Sequence, residues 1–156
     1  MGNIVNLILI VSLVLLLVSA GVEDARQRTI ANWKNAAIAL FAIAWWVANG
    51  RALWPDIALQ VGVAAAVFGM FVLVFALGQM GGGDVKMIGA LALWLPIEPL
   101  VWMLILMSLL GGALTAVLML EKWLRKREGA IEIPYGVAIA MASLIALREP
   151  YLNHFG

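Results

Sequence analysis

Cysteine is absent from this 156-residue chain, histidine occurs once, and only 12% of residues are charged. Each shortage removes a class of function. Without cysteine there is neither a disulfide framework nor a cysteine-ligated metal. The single histidine, His154, reads as a solvated residue of the C-terminal tail. One histidine cannot supply the two ligands, one helical turn apart, of an HExxH metalloprotease. Nor does a tail position suit the base of a serine–histidine protease. Carboxylates are left as the plausible catalytic groups, and no metal or other cofactor is expected. The net charge of +1 comes with no basic patch set apart from the membrane pattern, so no nucleic-acid partner is expected.

What the chain has in abundance is apolar surface. It is 65% hydrophobic, with a mean hydropathy of +1.03, whereas soluble domains carry about a quarter of their residues as charges. A soluble core of this size cannot hide so much apolar surface, so the natural solvent is lipid. A helix needs about 20 apolar residues to cross the hydrocarbon layer, where no backbone group may go unsatisfied. Six apolar segments meet or approach this: Ile4–Val22, Trp33–Ala48, Ile57–Gly78, Val85–Leu95, Leu100–Leu120 and Pro134–Leu147. The fourth is short before Pro96, and it either draws on flanking residues or packs as a half-helix inside the bundle. The expectation is an all-α, polytopic membrane bundle of about six transmembrane segments, forming a single domain over residues 1–156. Gly62/Ala66 and Ser108/Gly112 have the spacing of small residues at helix contacts.

The first segment ends in Val18-Ser19-Ala20, which suits signal-peptide cleavage, but no Lys or Arg precedes it while Arg26, Arg28 and Lys34 follow. That polarity is reversed for a cleaved signal, so an uncleaved helix with its N-terminus outside is favoured. The inner loops then hold Arg26, Arg28, Lys34, Lys86, Lys122, Arg125, Lys126 and Arg127, against Arg51 and Arg148 outside. This matches the positive-inside rule. Trp33 and Trp123 fall near inner boundaries, and Trp46, Trp54 and Trp94 near outer ones, as aromatic belts do. The stretch Glu121–Glu132 reads as a solvated inner loop or a short interfacial helix.

Among the acidic residues, Asp56, Glu98, Glu149, Glu121, Glu128 and Glu132 fall in loops and read as solvated charges. Glu23, Asp24 and Asp84 lie at inner ends of apolar segments, where an ionisable group is costly and is a functional candidate by default. Asp84 follows Gly81-Gly82-Gly83, poor helix formers that permit unusual dihedrals or a close approach of another chain. A carboxylate there suits a small water-accessible pocket, and equally a helix N-terminus with an acidic cap. Asp24 taken alone reads as a surface charge paired with Arg28 one turn away. The topology brings Asp24 and Asp84 to one face at similar depth, so the two can meet across the bundle. Like charges held close share a proton. The ionised member activates water and the protonated member donates to the scissile carbonyl. The pair titrates as a unit, so neither residue is fixed as acid or base. Lys86 either tunes the pair, binds a substrate carboxylate, or anchors the helix at the headgroups.

Gly81-Gly82-Gly83-Asp84-Val85-Lys86 resembles the GxGDxK motif of the prepilin peptidases, members of the GxGD aspartyl proteases. Asp24 with Arg28, Ile30 and Asn32 is similar to that family's other aspartate segment. Ile133-Pro134-Tyr135-Gly136 is similar to the segment opening its last helix. The three motifs occur in family order over most of the chain. The resemblance implies an inner-membrane endopeptidase that removes short leaders from type IV pilin-like precursors at the cytoplasmic face. Cleavage falls after a leader glycine, just before the pilin's apolar helix. It implies Asp24 and Asp84 as the catalytic pair, with Gly81, Gly83, Lys86, Arg28, Asn32, Pro134, Tyr135 and Gly136 in support. Longer family members carry paired cysteines in an N-terminal region and also methylate the product. Neither feature is found here, so methylation is not expected. The compact form resembles the stand-alone peptidases of tight-adherence pili and archaeal preflagellins.

Three other readings were weighed. An ion-coupled transporter would carry charges near the bilayer midplane, and these helix interiors have none. A non-catalytic component of a pilus or secretion machine need not keep both aspartates. A presenilin-like protease would cut within a helix, not at its boundary.

Overall fold

Helix is the only regular structure among the described residues of the computed structural model, which cover 2–126, 133–148 and 151. The helices are α1 (Gly2–Gln27), α2 (Asn32–Ala48), α3 (Ala58–Ala76), α4 (Gly82–Ala92), α5 (Ile97–Arg125) and α6 (Tyr135–Ala146). A wide turn over Leu53–Ile57, extended at Trp54, leads into α3. Arg127, Glu128, Glu132, Glu149 and His154 lie outside the described residues.

The six expected segments are the six helices, and the chain is a helical membrane bundle. Among the described residues, three stretches are long and apolar enough to cross a membrane: Ile4–Gln27, Leu53–Ala76 and Ile97–Arg125. The fifth segment runs further than expected. The first residues of the polar stretch continue α5, where Arg125 pairs with Glu121 at 3.1 Å one turn away. Lys126 then ends the helix with φ 48°.

The short helices are innermost. α4 packs on α2, α3 and α6, while α6 packs on α1, α4 and α5. Val85, Met87, Ile88, Leu91 and Ala92 of α4 are buried, as are Ala138, Ile139, Ala140, Ala142 and Ser143 of α6. At about 1.5 Å per residue, the 11 residues of α4 extend only about 16 Å. The neighbours that enclose α4 make a full crossing unnecessary, because the protein itself covers it. The long helices carry the outward apolar surface, for example Leu59, Leu73, Leu109 and Val117. Side chains like these cost nothing against lipid, whereas in water they would mark an aggregation-prone surface.

Two sequence expectations are corrected by burial. Trp33, Trp54 and Trp123 are exposed as belt residues should be, but Trp46 and Trp94 are buried. Trp94 follows the inner helix α4, and its indole N–H donates to the Ile38 carbonyl at 2.7 Å. Gly62 and Gly112 face open space, so their spacing marks no helix contact within the chain. The close approaches occur at Gly21, Gly89, Gly111 and Gly136 instead.

Successive helices alternate in direction. The start of α1 meets the end of α2 through reciprocal Asn6–Asn49 amide bonds of 2.9 and 3.1 Å. The end of α1, the starts of α2 and α4, and the start of α6 therefore gather at the opposite end. Both candidate aspartates are found there.

Candidate active site

Asp24 sits in the last turn of α1 and is 4% exposed. The helix ends at Gln27 because Arg28 takes a left-handed conformation with φ 55°. A residue of that kind commonly follows a helix C-terminus. The Arg28 guanidinium turns back to the carbonyls of Ala25 and Asp24, at 3.3 and 3.5 Å. A cation placed there also suits the helix dipole. Arg28 is thus engaged with backbone, and the Asp24–Arg28 side-chain pairing considered from spacing is not formed. The Asp24 carboxylate accepts instead from the N–H of Val137 at 3.3 Å, beside the N–H of Gly136. These amides belong to the first turn of α6, which leaves donors free for an anion.

The contact requires glycine at 136. A Cβ there would lie 2.9 Å from the Asp24 Cβ and Cγ, and 2.8 Å from the Ile30 Cδ1. Pro134 precedes the helix as its cap residue. Tyr135 packs against α5, with its ring 3.0 Å from where a Cβ on Gly111 would sit. The motif Pro134-Tyr135-Gly136 thus starts α6, wedges it on α5 and presents its amides to Asp24.

Asp84 is 7% exposed and occupies the third position of α4, whose cap residue is Gly81. Its carboxylate lies beside Gly81 and its backbone N–H, in the position of the acidic residue of a capping box. Asp84 is thus a buried carboxylate in the first turn of α4, and Gly81, not Asp84, is the cap residue. Gly82 and Gly83 are helical, and neither has positive φ. The glycines serve close approach, not unusual dihedrals. A Cβ on Gly83 would meet Ile30 at 3.3 Å. Ile30 therefore lies against the starts of both α4 and α6, the two helices that carry the carboxylate environments.

Asp84 precedes the apolar part of α4 and lies outside the three spans. Burial, and next the charge of Asp24, push its carboxyl up to about 7, with the Gly81 N–H acting in the opposite sense. The two carboxylates are near enough to feel each other across the bundle.

Lys86 and Asn32 meet, with the Lys86 ammonium donating to the Asn32 Oδ1 at 2.8 Å. This bond ties α4 to the start of α2 on the exposed rim of the site. Two residues around the site, Lys34 and Asn35, escape sequence reasoning. Lys34, read only as one more inner charge, is buried and pairs with Glu23 at 2.8 Å while donating to the Ser19 Oγ at 2.6 Å. Glu23 also accepts the Ala31 N–H at 3.3 Å, so these groups fasten the turn between Asp24 and α2. The Asn35 Nδ2 donates to the Gly83 carbonyl at 3.1 Å, joining α2 to the glycine run. Ile30, named with Arg28 and Asn32 in the sequence motif, proves to be a buried contact between the starts of α4 and α6. No group of three or more His, Asp or Glu that could hold a metal ion occurs among the described residues.

Comparison with known proteins matches residues 10–116 to the sequence model of the type IV leader peptidase family. The chain belongs to that family. The matched region contains Asp24, Arg28, Asn32, Gly81, Gly83, Asp84 and Lys86, and stops before the Pro134-Tyr135-Gly136 segment. A prepilin leader peptidase/N-methyltransferase of Pseudomonas aeruginosa is 42% identical over 84 residues, which is 53% of this chain. The alignment spans 27% of that larger protein. No solved structure matches the chain.

Proposed function

We propose that this peptidase is an aspartyl endopeptidase with Asp24 and Asp84 as its catalytic pair. In this reading it cuts type IV pilin-like precursors at the cytoplasmic face of the inner membrane, with its N-terminus outside. The observation that carries the reading is two buried carboxylates from distant parts of the chain. Asp24 accepts the Val137 N–H at the start of α6, Asp84 sits in the first turn of α4 beside the Gly81 N–H, and both lie at one end of the bundle. The resemblance to the prepilin peptidases and the basic residues clustered at that end support the substrate and the side.

The chemistry follows from one shared proton. The ionised carboxylate takes a proton from water, whose oxygen attacks the scissile carbonyl. The protonated carboxylate donates to the carbonyl oxygen, giving a neutral tetrahedral diol. Proton transfer to the leaving amine breaks the C–N bond, and the pair regains its single proton. Lys86, held by Asn32 on the rim, is placed to orient the precursor at the site's edge.

The test is co-expression with a candidate prepilin and inspection for a size shift, with Asp24→Asn and Asp84→Asn controls. A shift lost in both variants is expected. Substantial residual cleavage in either would remove the pair. A cut inside the apolar helix, read by mass spectrometry, would favour presenilin-like chemistry. Orientation is checked by placing single cysteines at Arg51 and Arg125 of this cysteine-free chain. Only the Arg125 site should be shielded from an impermeant reagent in intact cells.

A further inference from the structure

The helices α2 and α3 both pack on α4 but scarcely touch each other. This leaves an open slot of about 520 Å³ with α4 as its floor, a volume in the range of ligand clefts. Its walls are small and apolar: Ala36 and Ala39 on α2, and Ala64 and Ala65 on α3, with Gly89 and Ala90 below. Walls of this kind let a further helix approach closely in lipid, where packing and hydrogen bonds drive association. At Gly89 a Cβ would come within 2.6 Å of the Phe68 ring, so even the floor depends on a missing side chain to keep its shape.

One end of the slot is polar and adjoins the candidate site. Asn32 and Lys86 line it there, and so does Asn35, whose Nδ2 holds the carbonyl of Gly83, the residue before Asp84. The Asn35 Oδ1 is buried and has no hydrogen-bond partner among the described residues. A lone buried acceptor in an apolar setting costs about 1–3 kcal/mol. A helix entering the slot brings unsatisfied N–H groups at its first turn.

We propose that this slot receives the apolar helix that follows the scissile bond of the precursor. The start of that helix lies at Asn35, so the preceding peptide bond reaches Asp84. The inference rests on the peptidase reading and extends it to how the substrate is held.

The test uses the full chain in native membranes with a precursor that the wild-type enzyme cleaves. A photoreactive residue is placed at Ala39 or Ala65 in the Asp84→Asn background, with Val117 on the outer face of α5 as control. Crosslinks to the precursor from both slot positions, absent at Val117, are expected. In the active enzyme, Ala36→Trp and Ala65→Trp fill the slot from two exposed positions. Each should cut kcat/KM at least tenfold, mainly through KM. Wild-type cleavage by both variants, crosslinks to lipid or to a second copy alone, or equal crosslinking at Val117 would each overturn the slot while leaving the peptidase intact. A wild-type enzyme that cleaves no precursor would overturn both.

Discussion

At the end of the bundle that carries Asp24 and Asp84, helices are joined by side-chain bonds to backbone and by glycine contacts. At the opposite end, Trp45, Trp94 and Tyr151 pack ring against ring, with centroids 4.9 to 6.0 Å apart. The Trp94 indole bonds the Ile38 carbonyl and the Tyr151 hydroxyl donates to the Trp94 carbonyl. Aromatic packing of this kind contributes about 0.5–1.5 kcal/mol per pair beyond burial, and it uses the Trp94 N–H and the Tyr151 O–H for structure. The aspartate end holds two buried carboxylates, Asp24 and Asp84, which burial penalises in their charged form. The difference teaches that this bundle is closed by packing at one end so that the other can keep a costly polar site.

The comparison is broken most severely by removing a carboxylate. Asp24→Asn or Asp84→Asn should lower cleavage by about 10²–10⁴, the usual worth of a general acid or base. Thermal unfolding in detergent should not fall for Asp84→Asn, since an amide needs no buried charge. Trp94→Ala should do the reverse. It should cost about 3–5 kcal/mol of stability, as large-to-small core changes do, with cleavage per folded molecule unchanged. A large loss of specific activity in Trp94→Ala would show that the two ends are coupled.

Gly136→Ala should affect both properties. Its Cβ would press on Asp24 and Ile30 at under 3 Å, and overpacking of this sort costs about 1–3 kcal/mol. Asp24 should move from the α6 amides, which a fall in kcat at unchanged KM would report.

The pH profile sharpens the contrast further. Asp84 holds its proton to about 7 in the fold, against an ordinary value of 3.8. Cleavage should decline as pH rises through about 7, approaching tenfold per unit once the shared proton is gone. Stability has the same sign. The contribution is fully present below the unfolded value near 4 and is lost as pH climbs through about 7. A cleavage rate flat from pH 6 to 9 would contradict the proton-sharing pair. The smallest effect is expected for Gly83→Ala. Its Cβ meets Ile30 at 3.3 Å, which a slight shift relieves, and helix propensity returns up to about 1 kcal/mol. Cleavage should fall only a few-fold while the melting temperature holds or rises.

The sequence by itself determined the helical membrane architecture and the end of the bundle to which the candidate residues belong. Long apolar runs in lipid have one backbone solution, and helices that alternate in direction must return every second end to one face. Asp24, Asp84 and the Pro134-Tyr135-Gly136 segment therefore come out together from segment order alone. The glycine run before Asp84 was also legible, though its reason was not. Spacing permits either an unusual dihedral or a close approach, and only the position of Ile30 decides for the latter. Lys34 and Asn35 were invisible for the same cause, since their importance lies in partners 15 and 48 residues away. Tertiary structure alone decided that the shortest helices are central, that Trp94 is core and not belt, and that Arg28 caps a helix while Asp24 turns to α6. Hydropathy reports how well a segment avoids water, and it is blind to whether lipid or another helix takes water's place.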